Sequence, residues 1–467
     1  MNQHDPGGAP ARKTVDINPT TIDETPEEKR IWAKVSRRIM PLAILGLFIA
    51  YVDRVNIAVV GSSMRESLHL SPSVFGLAAG LFSLGYILFE IPSNLAMDKF
   101  GAKLWIARIM VTWGIITMAT TFVVGAHSLY VARLLLGIAE AGFYPGLLFY
   151  FGLWFPARRL ARAYSLFQLG IPISLALGSV LTAQLLRLDG VWGVHGWQWV
   201  FIIEGAAAVI LGIVTLVYMA NGPKDAKWLD DAERRVVVGA LEAEAVAGGD
   251  HTGGSHSRGA MMSVIKNPAA WYYTVTFFFM LVGFYAVTYW LPQIIQERFT
   301  VGAVQAGFIS ALPWCLSAAS LLLVSKRVQR TGSRGPTLAV VLVICAGGLA
   351  VSALTGSAVI ALIGLCVAAC VQAGVPLLMS FPSQHFPGAQ AAVALALVNS
   401  VANLGGFVGP WLLGVLREAT GNNRAGLLML AGSFVIAAIL ALGLARQLRT
   451  ATTGITSSAQ SSNRTTH

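Results

Sequence analysis

Charge is scarce in this 467-residue chain. Asp, Glu, Lys and Arg make up 12% of it, against 55% hydrophobic residues. Soluble domains carry about 25% charged residues, so a chain of this composition cannot clothe a globule of its size in wetted surface. Most of it must face lipid or other buried helices. Cysteine is scarcer still: Cys315, Cys345, Cys366 and Cys370 all lie in apolar stretches, with no CxxC pair and no histidine nearby. That excludes a disulfide framework and a thiolate metal site, and leaves small apolar packing residues. The eight histidines fall in loops, tails or at helix ends, which argues against a buried histidine relay. No buried His/Asp cluster, Ser/His pairing or metal-ligand spacing is present, so neither an enzyme nor a metal protein is expected, and no cofactor is called for. The first 38 residues contain no apolar run. A cleaved signal peptide is therefore not expected, and the first membrane helix should act as an uncleaved signal anchor.

What is abundant is apolar length. Twelve stretches reach the roughly 20 residues that a membrane-spanning helix requires: 39–60, 74–97, 104–124, 128–150, 163–186, 199–219, 270–294, 302–324, 336–356, 358–380, 391–414 and 425–446. They are spans 1 to 12 below. Glycine, at 48 residues, suits such helices because it lets them approach closely. The net charge of +11 invites a nucleic-acid reading, but its distribution speaks for the membrane. Of the 33 Lys and Arg, 26 fall in the tails and loops of one side, five on the other, and two (Arg54 and Arg133) within spans. Cationic loops stay in the cytoplasm, so both termini are expected there and no nucleic-acid partner is expected.

The charged stretch 221–267 divides the spans six and six. The expected fold class is an all-α membrane protein, twelve transmembrane helices in two pseudo-symmetric six-helix bundles. A tail covers 1–38, the first bundle 39–220, a cytoplasmic central loop 221–267, the second bundle 268–448 and a second tail 449–467. Within the loop, "KWLDDAERRVV" reads as a surface helix and "AGGDHTGGSHSRG" as flexible linker. Residues 1–25 and 450–467 read as unstructured. Two linked bundles are the plan of a transporter with its site between the halves, near the bilayer midplane. The two halves already enclose one site, so a monomer is expected.

Charged side chains deep in a span are costly and point to function. Arg133, Gly137 and Glu140 share one face of span 4. Glu140 falls near mid-membrane, where burial opposes its charge and a nearby arginine supports it, so it is a candidate to load and release a proton. The alternative is a purely structural ion pair with an arginine. In span 1, Asp53 and Arg54 point about 100° apart and cannot simply pair with each other. Arg54 is the candidate to hold a substrate carboxylate, because a guanidinium stays charged and bonds bidentately. Asp53 is a second candidate proton carrier, with Arg133 as its expected partner; the bland reading is a static Asp53–Arg133 bridge. Tyr51, Tyr86 and Gln168 offer polar groups to a substrate, with ordinary packing as the alternative for the tyrosines. Asn399 and Asn403 share a face of span 11 and can bond a carboxylate or hydroxyl, or simply join helices. Glu90 and Glu204 read as structural, with partners near helix ends. Pro145, Pro172, Pro376 and Pro410 should kink their helices.

The stretch "GYILFEIPSNLAMDKFGAKLWIAR" resembles the 2–3 loop motif of the major facilitator superfamily, with Asp98 and Gly101 at its acidic and turn positions. More narrowly, "YVDRVNIAVV", "RLLLGIAEAGFYPG", "GWQWVFIIEG" and "NSVANLGGFVGPWLLG" resemble the anion:cation symporter family of sugar-acid, tartrate and phthalate permeases. The resemblance implies the major facilitator fold in a bacterial inner membrane. It implies proton and substrate coupling at the Asp53 and Arg54 positions, a cavity lined by Tyr51 and Tyr86, and gating at Asp98 and Gly101. The family's Phe-Trp pair before the span 10 proline is absent: "PLLMSFPS" places Leu378 and Met379 there. Tyr285, Tyr289 and Trp290 in span 7 could partly replace that wall. The expected function is proton-coupled import of a small organic anion, a sugar acid or an aromatic carboxylate, by alternating access. The alternatives are a proton-driven exporter of organic anions and a transport-inactive membrane sensor.

Overall fold

The computed structural model describes residues 25–247 and 256–462. Thr25 starts the first helix with a reciprocal cap: its side chain accepts from the Glu28 backbone N–H, and Glu28 reaches back to the Thr25 N–H at 2.9 Å. From that cap one helix runs Pro26–Ser67, so the end of the expected tail is the amphipathic beginning of span 1. Ile31, Trp32 and Val35 are buried there, and Lys34 pairs with Glu233 of the central stretch at 2.5 Å.

Among the described residues, twelve helical segments are long and apolar enough to cross a membrane. They are Pro26–Ser67, Pro72–Phe100, Ala102–Phe122, Ala126–Trp154, Ala157–Leu188 and Gly196–Tyr218 in the first half, then Pro268–Phe299, Ala303–Thr331, Arg334–Leu354, Ala358–His385, Gln390–Thr420 and Arg424–Gly443 in the second. Large apolar side chains lie exposed along them, among them Leu88, Ile91, Ile210, Val217, Ile363 and Ile439. Such a skin is unfavourable in water and suited to lipid. The break between spans 9 and 10 falls at Thr355–Ser357, where the Ser357 hydroxyl caps the next helix.

The central stretch holds two helices, Asp231–Ala247 and His256–Lys266. The first begins within the expected surface helix and extends it. The glycine-rich linker falls in part at 248–255, outside the described residues, and its last four residues belong to the second helix. Residues 1–24 and 463–467 are also outside the description. The final helix continues to Ser462, where the composition suggested an unstructured tail.

Spans 2 and 4 approach through glycine. A Cβ on Gly85 would strike the Leu134 carbonyl, and one on Gly137 would strike the Phe82 carbonyl. Spans 3 and 6 meet the same way: a Cβ on either Gly114 or Gly205 would come 2.6 Å from the other's carbonyl oxygen. Main chains thus pack directly, as lipid-embedded helices require for association.

The halves meet along the face opposite the central stretch. There span 2 runs against Gly405–Thr420 of span 11, and again glycine makes the contact: Gly76 on the Pro410 carbonyl, Gly80 on Phe407, Gly414 on Pro72. Around this seam Arg65 donates to Gln293 (3.0 Å), Gln296 to Ser62 (2.8 Å), and the Ser73 N–H to Glu418 (2.9 Å). Toward the face of the central stretch the halves part. Span 11's other segment, Ala389–Ala402, reaches span 2 around Glu90, which accepts from Asn399 and Ser400 at 3.4 Å each. The halves are joined most closely on the face opposite the central stretch.

Two glycines separate the consequences of overpacking. Gly137→Leu forces spans 2 and 4 apart within one half, and yields little folded protein on size-exclusion chromatography. Gly80→Leu wedges only the seam, at about 1–3 kcal/mol. It folds, but opens the closely joined face. A Gln293→Cys reporter on a cysteine-free background, buried at 2% exposure, then reacts faster with an impermeant thiol reagent. Unchanged labelling would sink the assignment of this seam as the closed gate.

Candidate functional site

Spans 1, 2 and 4 bring the intramembrane charges together. Arg54 donates to one oxygen of Glu140 through Nε (3.0 Å) and Nη2 (2.7 Å). Glu140 is fully buried, and its second oxygen has no protein partner. It is the last residue of the helix Ala126–Glu140. The chain breaks at Ala141 and at Gly142, whose φ of +85° favours glycine, and resumes at Phe143. The Gly142 bend lies against Ser93, whose hydroxyl accepts from Trp105 at 3.0 Å. A broken helix at membrane depth is a common place for a transporter's site. The signal for it was present in "AGFYPG".

The Arg54 guanidinium is boxed by aromatic faces: Tyr51 at 5.1 Å, Phe82 at 5.2 Å and Tyr86 at 5.2 Å. The other face of this cluster is Arg133, 5.1 Å from the same Phe82 ring. Phe82 therefore serves two cations, an attraction of about 0.5–2 kcal/mol each. Sequence reasoning missed Phe82 because nothing in an apolar run marks one phenylalanine from another.

Arg133 is 1% exposed, and all three guanidinium nitrogens lack a hydrogen-bond partner. The expected Asp53–Arg133 bridge is not formed. Asp53, 2% exposed, instead accepts from Thr117 (2.9 Å) and Asn56 (3.2 Å) on one oxygen, leaving the other unpartnered. Arg133 still lies within electrostatic reach of Asp53 and Glu140. Thus Glu140's arginine is Arg54 from span 1, not its neighbour on its own helix. Gly137 serves the helix approach, since the Phe82 main chain occupies the space beside it.

In the second half, Tyr285 donates to Asn403 (3.2 Å), and Asn403 donates to the Asn399 carbonyl (2.8 Å) at the break in span 11. Tyr285, with Tyr51 and Tyr86, is within electrostatic reach of Arg54. Both halves therefore face one guanidinium. Gln168 accepts from Tyr144 at 2.7 Å, a tyrosine that its aromatic surroundings had hidden. Trp290 is not at the cavity in this state: it is fully buried in the seam, donating to the Pro410 carbonyl (3.1 Å) edge-on to Phe75. Asp98 is exposed, and no hydrogen bond or ion pair joins it to a described residue. Gly101 has φ +84°, as its turn position requires, and Asn221 beside it accepts from the Lys103 N–H at 3.0 Å. Glu90 joins the two halves instead of capping a helix end. Among the described residues no group of His, Cys, Asp and Glu is placed to hold a metal.

Comparison with known proteins agrees with this architecture. The model of the Major Facilitator Superfamily matches residues 43–410. A protein of Agrobacterium vitis, provisionally named a tartrate transporter, is 41% identical over 90% of this chain and 92% of its own. The provisionally named metabolite transport protein NicT of Pseudomonas putida is 34% identical over 92% of this chain and 98% of its own. Among solved structures, a bacterial homologue of the human lysosomal transporter Spinster, in an inward-facing and occupied conformation, superposes with a TM-score of 0.72 at 17% identity, covering 87% of this chain and 96% of that one. This chain is a multi-pass membrane transporter for a small molecule, and it belongs to the Major Facilitator Superfamily.

Proposed function

We propose that the protein is a proton-coupled symporter that imports a small organic anion, a sugar acid or an aromatic carboxylate. The observation that carries this reading is the buried Arg54–Glu140 pair in its aromatic box. A carboxylate already occupies the one guanidinium that both halves address. A proton on Glu140 removes that competitor and leaves Arg54 a cation without an anion, which a substrate carboxylate can satisfy bidentately. Proton and anion thereby bind together. Asp53, with Arg133 in reach, is the second proton site, and Asn399, Asn403, Tyr285 and Gln168 supply bonds to substrate oxygens. The tartrate name of the Agrobacterium vitis relative supports a carboxylate substrate.

The excess of Lys and Arg on the face of the termini supports a cytoplasmic location for that face in the bacterial inner membrane. On that reading the closely joined seam faces away from the cytoplasm, and this is an inward-facing state. Charge pairs in the cavity must be neutralised together before the halves close over them, so the carrier switches when empty or fully loaded and not when half loaded. It works as a monomer without a cofactor, driven by the proton gradient.

Two outcomes are expected in proteoliposomes. An inward proton gradient drives uphill uptake of an organic anion from a panel of tartrate, sugar acids and aromatic acids, and a protonophore abolishes it. Glu140→Gln, which imitates the protonated acid, still binds the anion but no longer accumulates it uphill, and its affinity loses the rise otherwise seen as pH falls. Uphill uptake by Glu140→Gln defeats the coupling assignment, and outward-driven efflux alone defeats the direction. Arg54→Ala removes a charge-assisted bidentate contact of about 1.5–3 kcal/mol, so binding by thermal shift or calorimetry weakens roughly tenfold to a hundredfold. Unaltered binding would assign the anion elsewhere.

A further inference from the structure

Besides Glu90, which joins the halves, one further buried carboxylate is not used by the symport scheme. Glu204 of span 6 is 4% exposed. Thr182 of span 5 donates to its Oε1 at 2.8 Å, and its Oε2 has no partner. From span 1 it faces Asn56, within hydrogen-bonding reach, and beyond it Asp53. Span 3 presents the Gly114 main chain to Gly205, next to Glu204, and presents Thr117 to Asp53. The described surroundings of Glu204 include no cation.

Asn56 is fully buried between the two carboxylates. Its Nδ2 donates to Asp53, and its Oδ1 has no partner. Three acceptors, Asp53 Oδ2, Asn56 Oδ1 and Glu204 Oε2, are therefore buried together without a donor. An amide set between two carboxylates can use both its donor end and its acceptor end only where one of them carries a proton. A proton turns one acceptor into a donor and joins two of the three orphans, whereas an orphan left buried costs about 1–3 kcal/mol. Between the two acids the choice is physical. Asp53 has two donors and Arg133 within reach. Glu204 has the Thr182 hydroxyl, shares the Asn56 amide with Asp53, and has no cation in reach, so charge is better tolerated on Asp53, which Arg133 supports.

We propose that Glu204 is a proton-holding positioning residue: as the neutral acid it bonds Asn56 Oδ1, fixes the amide N–H on Asp53, and so sets how readily Asp53 takes and gives up its proton. The Glu204–Asn56–Asp53 chain lies inside one half and never meets the substrate. It leaves the role of Glu140 untouched, and rests on the symport reading only where Asp53 is the coupling site.

The test pairs a spectroscopic readout with transport. Infrared difference spectra of the purified protein, in water against deuterium oxide at neutral pH, should contain a protonated-carboxyl band that Glu204→Gln removes. Glu204→Gln keeps a donor for Asn56 and should retain uptake with the wild-type pH profile. Glu204→Ala and Asn56→Ala should both displace the pH midpoint of uptake in the same direction, while substrate affinity at saturating proton concentration stays unchanged. The proposal is overturned if Glu204→Gln leaves the carboxyl band intact, or if Glu204→Gln abolishes uptake while Glu204→Ala does not. It is likewise overturned if neither Glu204→Ala nor Asn56→Ala moves the pH midpoint. If wild-type uptake ignores the proton gradient altogether, the symport reading falls, and the infrared band still decides whether Glu204 holds its proton.

Discussion

A guanidinium placed in the middle of a membrane protein must be given an anion, and the Arg54–Glu140 pair is how this chain does it. Breaking a buried pair by removing one partner costs about 3–5 kcal/mol, because the survivor stays behind uncompensated. That penalty makes exchange of one carboxylate for another feasible, since a substrate carboxylate replaces what protonation takes away. Much of the nearby structure follows from keeping the pair in place. The helix of span 4 stops at Glu140, so the carboxylate sits at a chain break and not on a continuous wall. Gly85 and Gly137 draw span 4 onto span 2, and this brings Phe82 between Arg54 and Arg133. Tyr51 and Tyr86 close the aromatic box around the cation.

The two charged centres differ in kind. Arg54 and Glu140 answer each other across spans, whereas Asp53 and Arg133 are close without bonding. Arg133 is thus the less satisfied cation in this state, held by the Phe82 ring and the field of two carboxylates. A proton arriving at either carboxylate changes the surroundings of both arginines at once. Two sites built on adjacent residues of span 1 can therefore be coupled electrostatically with no mechanical linkage between them.

Hydropathy alone made the twelve spans legible, because a membrane helix has to be apolar along its whole length, and even the short Thr355–Ser357 break was marked by its turn residues. The charged cluster was legible for the same reason: four ionisable residues in spans 1 and 4 stand out against an apolar background. Which arginine served which carboxylate was not. Face analysis of one helix puts Arg133 beneath Glu140, but the packing of span 1 against span 4 decides the pair in favour of Arg54. Phe82, Tyr144, Thr117 and Asn56 are ordinary residues within helices, and only the fold gives them partners. Trp290 looked like a cavity aromatic because it follows Tyr289 directly and lies five residues beyond Tyr285. It turns instead into the seam, where the Pro410 carbonyl takes its N–H.

The seam has a consequence for how the molecule moves. Along Gly76, Gly80 and Gly414 the two halves touch main chain to main chain, and the glycines bring no side chain of their own to interlock. Such a contact behaves as a bearing and not as a clasp. It dictates where the halves can pivot but requires no rotamer to change when they separate. The holding force lies at its rim, in Ser73–Glu418, Ser62–Gln296 and Arg65–Gln293. Of these, the Ser73–Glu418 bond is exposed and solvent competes for it, so the rest position of the carrier is trimmed by the solution outside the membrane, while the path of the motion is built into the backbone.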